Sequence, residues 1–173
     1  MIIAVDKLRE MVKTDIPDLE LKTRLSALEA AIRKYTNNNF NVRSTHQQIE
    51  IRGGKIVFPP FYINAGDTIQ IHSQDYENQV FTVISTSVNE LEVDSPLRFD
   101  GQAFMALVQY PDDVVIGAVN LMKWDISNRE KIGVKSESIS RWNVTYFDLE
   151  TNSLLGYPAS LLGFLKPYMR ARF

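Results

Sequence analysis

Cysteine is absent from the 173-residue chain. Disulfides, thiolate metal sites and thiol nucleophiles are therefore excluded, and the composition is compatible with a reducing compartment. Histidine is scarce: His46 and His72 are the only two, and neither has a metal-ligand spacing such as H-E-x-x-H. Both read as surface or turn residues. An excess of one charge is also missing. With 19 Lys plus Arg against 21 Asp plus Glu, the net charge of -2 supplies no global field to hold a polyanion or an anionic membrane. The longest nearly uncharged apolar run, Val114 to Met122, falls far short of the roughly 18 residues a membrane span needs. Met1 to Asp6 carries no basic stretch and reaches a charge at the sixth residue, so no secretory signal is expected. A soluble protein, intracellular where it is made, is the resulting expectation.

Chemistry-bearing motifs are missing as well. No G-x-x-x-x-G-K-[ST], G-x-G-x-x-G or G-x-S-x-G occurs, which leaves phosphate loops and a nucleophile elbow without support. The paired acids Asp112 and Asp113 sit at a helix start, where the helix dipole explains them. Asn143-Val144-Thr145 matches a glycosylation sequon only by coincidence in a protein of this kind. The expectation is a protein that is not an enzyme and has no catalytic residues, no cofactor and no metal.

What is present is a globular composition, 45% hydrophobic and 23% charged, with an internal change of pattern. Residues 1 to 45 carry 8 basic and 6 acidic side chains, residues 46 to 110 carry 3 and 8, and residues 111 to 173 carry 8 and 7. The acidic middle coincides with a switch of periodicity. Before it, Leu21, Leu25, Leu28, Ile32 and Tyr35 form one helical stripe that starts near Asp15, Pro17 and Asp18 and ends at Asn37-Asn38-Asn39. A shorter helix is expected around Val5 to Val12. From Gln47 the apolar residues alternate: Ile49, Ile51, then Ile56 and Phe58 across a Gly53-Gly54 hairpin signal. Ile69 and Ile71, Val80 to Ser85, Leu91 to Val93 and Phe104 to Val108 complete five or six short strands, which suggest an antiparallel barrel or sandwich. One mixed sheet with uneven charge is the competing reading. After Pro111 a helix with a wide apolar face, Val114 to Ile126, precedes an extended segment around Trp142 to Tyr146. A last helix is expected from about Pro158, carrying Leu161, Leu162 and Leu165 and kinking or stopping around Lys166, because Pro167 lacks an N–H and would clash with the Gly163 carbonyl.

The expected fold is therefore α+β. A small bundle of about four helices, from residues 1–45 and 111–173, carries an inserted antiparallel β-rich module at 46–110. Residues 167–173 form a C-terminal arm.

Several segments together resemble the head-tail connector, or head-completion adaptor, proteins of tailed bacteriophages and prophages. The strongest is Asn128-Arg129-Glu130-Lys131-Ile132-Gly133-Val134-Lys135-Ser136-Glu137-Ser138-Ile139, followed by Arg141-Trp142-Asn143-Val144-Thr145-Tyr146. It is similar to a helix ending in N-R-E, a turn with G-[IV]-x-S-E-S-[IL] and a strand closing in V-T-Y. Pro158 to Tyr168 with the arginines after it resembles the family's C-terminus, and Asp18 to Phe40 resembles its first long helix. The resemblance covers the helical two-thirds of the chain, and Thr45 to Tyr110 departs from it.

That resemblance implies a structural virion protein of the neck, assembled in the host cytoplasm. Its copies would form a ring of about twelve under the portal, extending a DNA channel that the genome crosses without specific binding. The implied partners are the portal, neighbouring copies and a stopper or tail-side protein, with no membrane. Candidate portal contacts are Lys166, Tyr168, Met169, Arg170, Arg172 and Phe173, a mixture of apolar anchors and cations suited to bidentate pairing; a frayed tail is the other reading of these residues. Candidate ring contacts are Ser136, Glu137, Ser138, Ile139, Arg141 and Trp142; the wide apolar helix Val114 to Ile126 is another candidate patch, with plain core the favoured reading for most of its residues. The acidic module, through Asp75, Glu77, Glu90 and Glu92, is a candidate for repelling DNA from a channel wall. Two other functions fit the sequence: a stopper or tail-completion protein, and a small barrel that binds a ligand. For the barrel, sugar is favoured over nucleic acid because Phe58, Phe61, Tyr62, Tyr76 and Phe81 lack interleaved Lys or Arg.

Overall fold

The computed structural model describes residues 1–73, 79–128, 136–139, 142–145 and 153–171, with backbone alone for 136–139, 142–145 and 153–154. The chain is mixed α+β and divides into two compact units. One comprises Met1 with Asn38–Tyr110, the other Ile2–Asn37 with Pro111–Phe173.

In the first unit, six strands close into an antiparallel barrel: β1 Gln47–Arg52, β2 Lys55–Val57, β3 Thr68–His72, β4 Gln79–Thr86, β5 Glu90–Val93 and β6 Gly101–Val108. Their order around the barrel is β1-β2-β5-β4-β3-β6, and pairing of β1 with β6 closes it. Closure resolves the choice between barrel and sandwich and leaves these strands no free edge. Gly53 and Gly54 join β1 to β2 with φ of 58° and 79°. Two successive positive φ values are what a two-residue hairpin turn demands, and glycine adopts them without a Cβ penalty. Alternation turns Ile49, Ile51, Ile56, Ile69, Ile71, Val83, Leu91 and Met105 into one core, each contributing about 1.5–3 kcal/mol of burial.

The barrel unit begins at Asn38, ahead of the switch to alternation at 46, because backbone bonds draw the preceding segment onto β6. Asn41 bridges Val108, the Val42 amide donates to the Leu107 carbonyl at 2.9 Å, and the Gln109 amide donates to the Phe40 carbonyl at 3.0 Å. Those bonds depend on tertiary pairing, to which a charge and periodicity count is blind.

In the second unit, α1 spans Val5–Met11 and α2 spans Asp18–Thr36. Pro17 stands at the N-cap of α2 with extended dihedrals, one place before the first turn, and Asn37 ends the helix in the left-handed conformation at φ 50°. Leu21, Leu25, Leu28 and Ile32 are all buried. The next helix, α3, spans Asp112–Asn128 and buries Val114, Gly117, Ala118, Val119, Leu121 and Met122. Two short antiparallel pairs follow: β7 Ser136–Ile139 with β8 Trp142–Thr145, and β9 Ser153–Leu154 with β10 Tyr157–Pro158.

The last helix is a 3-10 helix, Ala159–Tyr168, running through Pro167. Of the two outcomes expected around Lys166, a kink or a stop, the stop does not occur. A proline ring in an α-helix collides with the carbonyl four residues back, and the tighter 3-10 winding takes that carbonyl out of line.

Candidate functional site

The C-terminal segment is fastened at several points. The Tyr168 hydroxyl donates to Asp113 Oδ1 at 2.7 Å and Oδ2 at 2.9 Å. Asp113 Oδ1 also accepts the Val114 amide at 2.9 Å, so one carboxylate serves the first turn of α3 and the last turn of the 3-10 helix. The Arg170 amide donates to the Thr36 carbonyl at 2.8 Å, and Asn37 Nδ2 donates to the Ala171 carbonyl at 2.8 Å. Through Ala171 the arm is therefore bonded to the end of α2, and the frayed-tail reading fails for these residues. Lys166, Met169 and Arg170 are exposed, whereas Tyr168 is half-buried with its hydroxyl engaged. Arg172 and Phe173 lie outside the described residues.

The hydrogen bond to Asp113 raises the Tyr168 phenol above its ordinary value, and partial desolvation and the nearby negative charge act in the same direction. Close packing adds to the fastening. A Cβ on Gly117 of α3 would stand 2.5 Å from Cε1 and Cε2 of Phe164, so only glycine lets the 3-10 helix approach this closely.

The ring candidates Ser136, Glu137, Ser138 and Ile139 make up β7, with Ile139 opposite Trp142 in β8. Among the described residues neither strand pairs with a third. Arg141 lies outside them. The apolar face of α3 is core, since Val114, Ala118, Leu121 and Met122 are almost fully enclosed; only Ile116 is strongly exposed. As a free ring patch that helix is ruled out by its own burial. An ion pair also lies in this unit: Arg24 bonds Asp125 at 3.0 Å and Glu20 at 2.6 Å, with the Asp125 side chain 4% exposed.

On the barrel, the acidic surface is partly neutralised. Lys55 Nζ pairs with Glu90 and, at 2.7 Å, with Glu92. Those bonds raise the Lys55 ammonium above its ordinary value and hold Glu92 below the usual carboxylate range. Asp75 and Glu77 lie outside the described residues.

The aromatic side chains separate into distinct roles. Phe81 is buried in the barrel core, because its place in β4 turns it inward, and it cannot meet a ligand. Tyr76 lies outside the described residues. Phe58, at φ 50°, and Phe61 project into solvent, 74% and 99% exposed, and Phe61 meets the edge of Tyr62 at 5.8 Å. The Tyr62 hydroxyl donates to the Thr45 carbonyl at 3.1 Å.

An aromatic residue outside that set, Phe104, borders a cleft of about 380 Å³ whose wall also includes His46, His72, Gln70, Asn39 and Asn41. Strand register explains the gathering. His72 pairs with Phe104 and Gln70 with Ala106, and these four alternate with the core residues Ile69, Ile71 and Met105, so they share the outer face of β3 and β6. Ala106, small and buried, leaves the hollow between its larger neighbours. Asn39 and Asn41 flank Phe40, which is held at φ 55° with its amide bonded to Asn38 Oδ1 at 3.0 Å and its ring against Tyr110 at 4.9 Å. Asn41 Oδ1 is buried and finds no protein donor, a cost of about 1–3 kcal/mol for an orphan acceptor. Both histidines are exposed, yet the fold brings them to one cleft. No local spacing announces this, since His46 and His72 belong to elements that meet only through β6.

Among the described residues no three His, Cys, Asp or Glu side chains come close enough to hold a metal ion, and no described helix is long and apolar enough to cross a membrane. Comparison with family models yields no match, and comparison with curated proteins yields none either.

Proposed function

We propose that this chain is a structural virion protein, a head-tail connector whose copies form a ring beneath the portal, its helical unit a small bundle carrying the barrel as an insertion. The observation that carries this reading is the C-terminal segment. Lys166 to Ala171 is bound along the end of α2 and the start of α3, with Lys166, Met169 and Arg170 exposed. A pre-ordered edge that combines an apolar side chain with two cations fits a carboxylate-bearing partner, because its ordering entropy is met before docking. The β7–β8 hairpin adds support for self-association. Its residues carry the strongest family resemblance, and its strand edges, unpaired among the described residues, suit a neighbour that adds a strand.

In this reading Lys166, Met169 and Arg170, with Tyr168 positioning them and Arg172 and Phe173 continuing the edge, meet the portal. Ser136, Glu137, Ser138, Ile139, Arg141 and Trp142 meet the next copy, and exposed Phe58 and Phe61 are available to a stopper or tail-side protein. Co-sedimentation with purified cognate portal rings tests it. The full chain should pellet with the portal, and a Met169→Glu, Arg170→Glu variant should remain in the supernatant. Equal recovery of both proteins would remove the C-terminal edge from the interface.

A further inference from the structure

The cleft on the outer face of β3 and β6 has a chemistry that narrows its ligand. Among the described residues no Lys, Arg, Asp or Glu lines it, so those residues offer neither a phosphorylated nor a cationic ligand a counter-charge. Two imidazoles alone make an incomplete metal site. Hydrogen bonding by the side-chain amides of Asn39 and Asn41 and by the ring nitrogens of His46 and His72 remains. Phe104, 57% exposed, presents an electron-rich ring face that suits the polarised C–H face of a pyranose. The volume of about 380 Å³ lies in the small-molecule range of roughly 300–1,000 Å³.

We propose that this cleft binds a neutral saccharide, with Phe104 stacked on the sugar ring and Asn39, Asn41, His46 and His72 hydrogen-bonding its hydroxyls. The site goes beyond the connector reading and does not rest on it.

The test is an amide NMR titration of the full chain with glucose, galactose, N-acetylglucosamine and their β-linked disaccharides. Zinc and inorganic phosphate serve as charged comparators. At least one sugar should give saturable shifts confined to residues around Asn39–Asn41, Gln70–His72 and Phe104–Ala106. Phe104→Ala, at an exposed position, should weaken that sugar about tenfold, the equivalent of roughly 1.4 kcal/mol of lost stacking. Asn41→Leu should weaken it as well while leaving the melting temperature equal or higher, because the orphan acceptor is removed. The proposal is overturned if no sugar shifts these resonances, or if Phe104→Ala binds as well as the native chain. Zinc or phosphate acting at lower concentration than any sugar would also overturn it, as would concentration-dependent shifts of the same resonances without ligand, which would mark a contact between copies.

Discussion

Tyr168 and Asp113 stand 55 positions apart in sequence and share one short hydrogen bond, the phenol donating at 2.7 Å to a carboxylate that also receives the Val114 amide at 2.9 Å. The relationship ties the last turn of the chain's final helix to the first turn of α3. Tyr168→Phe removes the donor and leaves the ring, so it should lower the melting temperature of the full chain slightly and speed hydrogen exchange at the Arg170 amide. Unchanged exchange would show that the backbone bonds hold the segment without it.

The same pair sets an alkaline limit. Asp113 raises the folded-state ionisation of Tyr168 above its ordinary value of 10.0, so the folded state holds that proton more tightly than the unfolded chain. Its stabilisation is complete below pH 10.0 and is lost as the pH rises through the folded value. Melting curves across the alkaline range should fall more steeply for the native chain than for Tyr168→Phe, and parallel curves would contradict the assignment.

Gly117→Ala offers a test of the packing beside it. An alanine gains about 1 kcal/mol of helix propensity in a helix interior. Here its Cβ would meet the Phe164 ring, at an overpacking cost of about 1–3 kcal/mol. The substitution should be net neutral to destabilising in urea unfolding, and combining it with Phe164→Leu should recover the loss. A clear stabilisation by Gly117→Ala alone would mean that the two helices separate freely.

Arg24→Met should be among the costlier single changes in the helical unit. It removes the arginine from the Asp125 carboxylate, 4% exposed, and should cost about 1–3 kcal/mol, since Asp125 keeps a further interaction. Arg24→Met with Asp125→Leu should cost less than Arg24→Met alone. An additive result would place the energy elsewhere.

At acid pH the barrel should respond through Lys55. Glu92 is held below its ordinary 4.5, so the stability it contributes is present above that value and is lost as the pH falls through the folded one. Lys55→Gln should leave the neutral melting temperature nearly unchanged, as expected for exposed pairs, and should flatten this acid limb. An acid limb of native steepness in Lys55→Gln would assign it to other carboxylates.

Local pattern made much of this fold legible. Leu21, Leu25, Leu28 and Ile32 recur at helical spacing and are buried as a stripe; Ile49, Ile51, Ile69 and Ile71 alternate and point into one core. Gly53-Gly54 marked its own turn because few other residues tolerate two positive φ values. Barrel closure and the attachment of Asn38 to Val42 were not legible, since both depend on partners far away in sequence. The cleft escaped for the same reason. Phe104, Gln70 and Asn41 look unremarkable singly, and Phe81, which reads as a ligand-facing aromatic, is committed to the core by its strand register. At the C-terminus the cations and aromatics were visible, whereas the carboxylate and carbonyls that fasten the segment were not.

Assembly on the portal is measured by light scattering. The full chain is measured alone, then mixed with its cognate portal, then with the portal as the Met169→Glu, Arg170→Glu variant. The portal complex should be heavier by about twelve copies, one for each portal subunit in a closed ring, with no such gain for the variant. A portal mass unchanged by the native chain would contradict the connector reading.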